Sequence, residues 1–108
     1  MMRNGGRVGD QQVIPDAWVA ECRAGGDHEV WSRGGEAIEK FTRGSYRNKW
    51  YQTGNAHGAF CAIGIHSQWI YIDPVTETVI VKLSSQGDPL NFDLGQACLR
   101  AFEAISAP

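Results

Sequence analysis

Between residues 60 and 85 the chain reads FCAIGIHSQWIYIDPVTETVIVKLSS, three apolar strand-like runs separated by two tight turns. Connections this short force antiparallel pairing. The second turn, Asp73-Pro74-Val75-Thr76-Glu77, opens with residue types that suit the first positions of a type I turn. The first turn is different: a Gly64-Ile65-His66-Ser67-Gln68 cluster stands between nearly unbroken apolar runs, a pattern suited to the lip of an active site. Neither Ile70-Tyr71-Ile72 nor Val79-Ile80-Val81 alternates polar with apolar. A sheet built from them is expected to be covered on both faces.

The remaining segments are the candidates for that cover. Residues 15–24 read as a short helix, with Pro15 at its first position, where a missing N–H goes unnoticed. Ile14, Trp18 and Cys22 form its apolar stripe, and Gly25-Gly26 stops it. Ahead of it, Gly5, Gly6 and Gly9 mark a turn-rich lead-in, and Met1 to Arg3 suit the last turn of a helix ending at Gly5. Residues 27–43 read as irregular, anchored by Trp31, Ile38 and Phe41. Residues 45–52 read as a strand carrying Tyr46, Trp50 and Tyr51, followed by a turn at Thr53-Gly54-Asn55 and a further strand from Gly58 to Ile65. At the far end, residues 92–106 have an amphipathic helical pattern with Leu94, Ala97, Cys98, Ala101, Phe102 and Ile105 on one side. The expected fold class is therefore α+β: an antiparallel sheet of three to four strands flanked by a short N-terminal helix and a C-terminal amphipathic helix. The terminal helix, helped by the helix at 15–24, can cover one face, and nothing else is long enough for the other. Leaving several aliphatic and aromatic side chains wet costs many kcal/mol at about 25 cal/mol per Å2, against a typical total stability of about 5–15 kcal/mol. Residues 1–108 are thus expected to be one partial domain, with something else packed on the second face.

Composition narrows the function. A 108-residue chain that is 43% hydrophobic and 20% charged has the make-up of a single soluble domain. A net charge of -2 with no basic stripe gives no footprint for nucleic acid or an anionic membrane. No apolar run approaches the roughly 20 residues of a membrane span, and MMRNGGRVGD has no signal-peptide core. Cys22, Cys61 and Cys98 are odd in number and widely spaced, which points to reduced thiols and a cytoplasmic protein. His57, Cys61 and His66 match no zinc-ligand spacing, so no metal and no cofactor is expected.

Taken in order, several segments resemble a known family. They are Val13-Ile14-Pro15-Asp16-Ala17-Trp18-Val19, Tyr46 to Tyr51, Gly64-Ile65-His66-Ser67-Gln68, Tyr71-Ile72-Asp73-Pro74, Val79 to Ser85 and the final amphipathic helix. Together they resemble the C-terminal end of the class C-like serine β-lactamase-related hydrolases, the group that includes 6-aminohexanoate-dimer hydrolase. The resemblance implies an antiparallel sheet with helices on both faces beside a helical domain, with the active site between them. It also implies an acyl-enzyme reaction driven by a Ser-x-x-Lys nucleophile, a tyrosine and a third motif on a sheet strand, Lys-Thr-Gly in β-lactamases. No serine here has lysine three residues on: Ser32, Ser45, Ser67, Ser84 and Ser85 are followed there by Gly35, Asn48, Ile70, Gly87 and Asp88. Tyr46-Arg47-Asn48 imitates the family's Tyr-x-Asn motif but stands too far along the chain, so Tyr46 is expected near the site as a strand residue.

Gly64-Ile65-His66 stands where the third motif belongs. By resemblance, the backbone N–H of Ile65 is the second oxyanion donor, and Gly64 lets substrate approach the strand. Gly64, His66, Tyr46 and Trp50 are the candidate substrate-binding residues, His66 either as a turn residue or at the site rim. Without the motif's lysine, an amide or ester substrate fits better than a β-lactam. The expected partner is the missing helical part of the hydrolase or a self-association partner, and the chain is expected to be inactive alone. Two other readings stand beside it: a small non-catalytic ligand- or protein-binding module, and one chain of a two-chain hydrolase.

Overall fold

The computed structural model describes residues 1–34 and 41–107. A 3-10 turn at Met2–Asn4, ended by Gly5 in a left-handed conformation, leads into a small hairpin of β1 (Arg7–Val8) and β2 (Gln11–Gln12). Then come α1 (Asp16–Ala24), α2 (His28–Ser32), β3 (Ser45–Arg47), β4 (Trp50–Gln52), β5 (Phe60–Gly64), β6 (Gln68–Asp73), β7 (Thr78–Lys82) and α3 (Phe92–Ile105). Strands β3 to β7 form one five-stranded antiparallel sheet in chain order. The α+β class holds, with one strand more than the sequence suggests. The extra strand comes from residues 45–52, which fold as a hairpin and not as a single strand. Arg47 pairs with Trp50 across Asn48 and Lys49, both at positive φ (54° and 72°). That is the backbone of a two-residue type I′ turn, formed here without the glycine that usually announces one.

The segment expected to be irregular contains α2, whose first turn is capped by Asp27: its Oδ1 accepts the N–H of Glu29 at 2.8 Å and of Val30 at 3.3 Å. Trp31 and Phe41 do anchor it, with ring centroids 6.5 Å apart, while Ile38 lies outside the described residues. Pro15 is the N-cap of α1 and not its first helical residue.

Side chains alternate across the strands, and the register lines up Tyr51, Cys61, Tyr71 and Ile80 on one face. This face carries the main core. Phe102 of α3 packs edge-on against Trp69 (5.4 Å) and tilted against Tyr71 (5.6 Å), with Cys98 and Leu99 buried beside it. The buried side of α3 is Gly95, Cys98, Leu99 and Phe102; Ala97, Ala101 and Ile105, expected on that side, are exposed.

The opposite face carries Gln52, Phe60, Ile72 and Val79 in one row and Ala62, Ile70 and Val81 in the next. Here α1 does not reinforce α3, as expected from sequence, but lies on the other side of the sheet. Its Cys22 carbonyl accepts a hydrogen bond from the Gln52 side chain, and the Gly26 N–H donates to Ser45 Oγ at 3.0 Å. The buried residues of α1 are Val19 and Cys22, whereas Trp18 is 46% exposed, so the stripe is rotated from the expected one. Phe60 and Ile72 are buried on this face. At the other end of the same face, Ile70 (40%), Val81 (61%) and Leu83 (86%) remain open to solvent. The second face is partly sealed: the chain covers Gln52, Phe60 and Ile72, while Val79 in the same row is 49% exposed and the Gly64 end is bare.

Candidate active site

The bare end of the sheet terminates in the β5–β6 turn. Gly64 pairs with Gln68, so Ile65, His66 and Ser67 form a three-residue loop. His66 (φ 60°) and Ser67 (φ 67°) both occupy the left-handed region. For residues with a Cβ this conformation is disfavoured by roughly 1–2 kcal/mol each and persists only where the surroundings fix it.

Those surroundings are residues 82–91, which wrap the loop like a strap. The His66 N–H donates to the Pro89 carbonyl at 3.0 Å, and His66 Nδ1 lies 3.0 Å from the Gln86 carbonyl oxygen. Lys82 Nζ donates to the Ser67 carbonyl (2.9 Å) and to Ser67 Oγ (2.8 Å). The Gln68 side chain bonds the Ser84 backbone twice: its amide donates to the Ser84 carbonyl, and the Ser84 N–H donates to Gln68 Oε1 at 3.0 Å. Every residue from His66 to Gln68 is therefore tied to the strap.

Gly64 makes the opposite case. Its φ is not in the left-handed region, so the backbone does not demand glycine, and a Cβ there would meet only the Gln68 side chain, Cβ at 3.2 Å and Cγ at 3.5 Å. What its absence leaves open is the approach to the strand end. Beside Gly64, at that end of the sheet, lies an open groove of about 540 Å3, lined by Ala62, Ile70 and Val81 from the bare face and by Tyr46, Tyr51 and Trp69 from the other. Ile65, the next residue after Gly64, is 63% exposed and is not part of the groove lining. Of the sequence candidates, Gly64 and Tyr46 line this groove, whereas Trp50 packs edge-on against Phe60 at 5.2 Å. The His66 ring is bonded on the strap side.

Two polar pairs escaped the sequence reading because they join residues far apart in the chain. Ser67 and Lys82 form a serine–lysine contact that no Ser-x-x-Lys search can find; the pairing of Trp69 with Lys82 brings them together. Ser67 opens onto a cavity of only about 30 Å3, room for about one water. Lys82 donates to the Ser67 backbone as well as to its hydroxyl, so the pair clamps the turn. At the far end of the sheet, His57 Nδ1 lies 2.6 Å from Oδ2 of the fully buried Asp73. Asp73 Oδ1 accepts the N–H of Val75 at 2.9 Å and of Thr76 at 3.1 Å. Burial alone would raise the Asp73 pKa, but the hydrogen bonds from His57 and the two amides outweigh it and hold the carboxyl below its ordinary value. Burial raises the Tyr51 and Tyr71 phenols, which keeps both neutral at physiological pH.

The chain is 43% identical over 89 residues, 82% of its length, to 6-aminohexanoate-dimer hydrolase of Paenarthrobacter ureafaciens. The chain is homologous to a segment of 6-aminohexanoate-dimer hydrolase. It spans 22% of that hydrolase's length. In three dimensions it matches the putative 6-aminohexanoate-dimer hydrolase from Bacillus anthracis with a TM-score of 0.73 and 25% identity, over 97% of this chain and 25% of that one. No protein-family model matches the chain. Among the described residues, no helix is long and apolar enough to cross a membrane.

Proposed function

We propose that this chain is the C-terminal sheet portion of a β-lactamase-related serine hydrolase that cleaves amide or ester bonds. The 6-aminohexanoate dimer named for its relative is a candidate substrate. The observation that carries the reading is the 43% identity over 89 residues, which sits on a fold matched over 97% of the chain by a second hydrolase of that name. In this reading the Ser-x-x-Lys nucleophile and the tyrosine belong to the rest of the enzyme, which packs on the bare half of the second face. The chain alone lacks the Ser-x-x-Lys motif and is expected to be inactive; its three buried, free thiols suit a cytoplasmic enzyme.

The chemistry assigned to this chain is charge stabilisation. The serine oxygen adds to the substrate carbonyl while its proton passes to the lysine–tyrosine pair. Negative charge collects on the carbonyl oxygen, between the N–H of the nucleophilic serine and the N–H of Ile65. The leaving amine or alcohol departs with a proton, and water then releases the acyl group. Gly64 admits the substrate to the strand end, Tyr46 walls the groove, and the strap on His66, Ser67 and Gln68 holds the Ile65 amide in place before substrate arrives. Trp50 packs on Phe60 away from the groove and takes no part in the site, and His66 stands at its rim.

The test is complementation. Co-expression with the complementary part of the Paenarthrobacter ureafaciens hydrolase is expected to restore hydrolysis of amide or ester substrates. Ile65→Pro, which removes the donor N–H, is expected to lower kcat by about 100- to 1000-fold with little change in KM. Wild-type kcat in the folded Ile65→Pro complex would overturn the oxyanion assignment. Hydrolysis of p-nitrophenyl esters by the isolated chain, blocked by serine-directed inhibitors, would overturn the fragment reading.

A further inference from the structure

On the α2 side of the β3–β4 hairpin lies a second cavity, of about 420 Å3, lined by Asp27, Val30, Trp31, Gly34, Tyr46 and Tyr51. Among the described residues that line it, three are aromatic, one is a carboxylate and none is a lysine or arginine. The rings are held at angles to one another. Trp31 meets Tyr51 edge-on (centroids 6.0 Å apart, 72° between planes), and Tyr46 is tilted against Tyr51 (4.6 Å, 53°). The indole is pinned by its Nε1–H, which donates to the Phe41 carbonyl at 2.7 Å, and Tyr46 and Tyr51 are held opposite each other by strand register.

We infer that this cavity is a binding site for an organic ammonium cation. Aromatic faces carry negative quadrupole charge and attract a cation within about 6 Å, most strongly where water is displaced. An alkylated ammonium also suits apolar walls, because its charge is spread over methyl or methylene groups. Asp27 adds a full negative charge at the rim. Its Oδ1 caps α2. A neutral apolar ligand would use the rings but gain nothing from the carboxylate. Tyr46 and Tyr51 also line the groove beside Gly64, so the two cavities share a wall. The inference rests on the cavity alone and does not depend on the hydrolase reading.

The experiment is an NMR titration of the 108-residue chain with tetramethylammonium chloride, following the Trp31 indole N–H signal, with tert-butanol and sodium chloride as neutral and ionic controls. The cation is expected to shift Trp31 saturably while both controls leave it in place. Trp31→Leu keeps an apolar wall and is expected to weaken binding, followed through neighbouring backbone amides, by roughly 3- to 30-fold. Asp27→Asn keeps the capping oxygen but removes the charge, and is expected to weaken binding by at least about threefold. Should Trp31→Leu fail to fold, Tyr46→Leu, at a half-exposed strand position, decides the point. Equal shifts with tert-butanol, no saturable shift with the cation, or unchanged affinity in the folded aromatic variant would each overturn the assignment.

Discussion

Asp73 shows how one buried side chain ties two parts of the fold together. Its carboxylate accepts from the Val75 and Thr76 amides, shaping the β6–β7 turn, and from His57 on the β4–β5 connection. Because these donors hold its folded pKa below the unfolded value of about 3.9, the stability it contributes is complete above that pH. It is lost as pH falls through the folded value. Thermal or denaturant unfolding measured across the acid range is therefore expected to show stability falling below about pH 4. Asp73→Ala removes the acceptor of three part-buried donors and is expected to lose about 1–3 kcal/mol at neutral pH. Its acid slope should also be shallower; identical slopes in the two proteins would contradict the account.

Helix α3 reads clearly in the sequence as an element and less clearly as an orientation. Its 3.6-residue pattern is plain, yet the buried side is Gly95, Cys98, Leu99 and Phe102, with Ile105 at 64% exposure. Small residues such as Ala97 and Ala101 are compatible with either side, so hydropathy alone leaves the rotation open. Phe102→Ala is expected to lower the unfolding free energy by about 3–5 kcal/mol. Ile105→Ala should change it by less than about 1 kcal/mol. Equivalent losses at the two positions would place the packing face wrongly. The same limit explains the β3–β4 hairpin. Tyr46, Trp50 and Tyr51 announce strand, but a turn built on Asn48-Lys49 carries half of the usual Asn-Gly signal. The three strands from Phe60 to Lys82 were legible because apolar runs and short turns act together there. Of the candidate site, the turn and Gly64 were legible from residue type. The Lys82 clamp and the 82–91 strap were not, because both arise from pairing across 15 or more residues.

At the scale of the molecule, the two ends of the second sheet face behave differently. Near Gln52 the chain supplies its own cover through α1; near Gly64 it presents Ile70, Val81 and Leu83 to solvent beside an open groove. The sequence suggests that this whole face is left to a partner, because both non-alternating strands ask for double cover. In the structure Phe60 and Ile72 are buried on this face, and the apolar side chains left open are Val79, Ile70, Val81 and Leu83. A surface so placed does two jobs in the proposed enzyme: it seats the missing part, and in doing so it encloses the site. The most direct test is the affinity of this chain for the complementary part of the hydrolase, compared between wild type and Val81→Asp. An exposed valine contributes little to the isolated fold, so the account predicts unfolding within about 0.5 kcal/mol of wild type. It also predicts loss of binding to the complementary part. A variant that binds as wild type does, or one that unfolds the isolated chain, would contradict it.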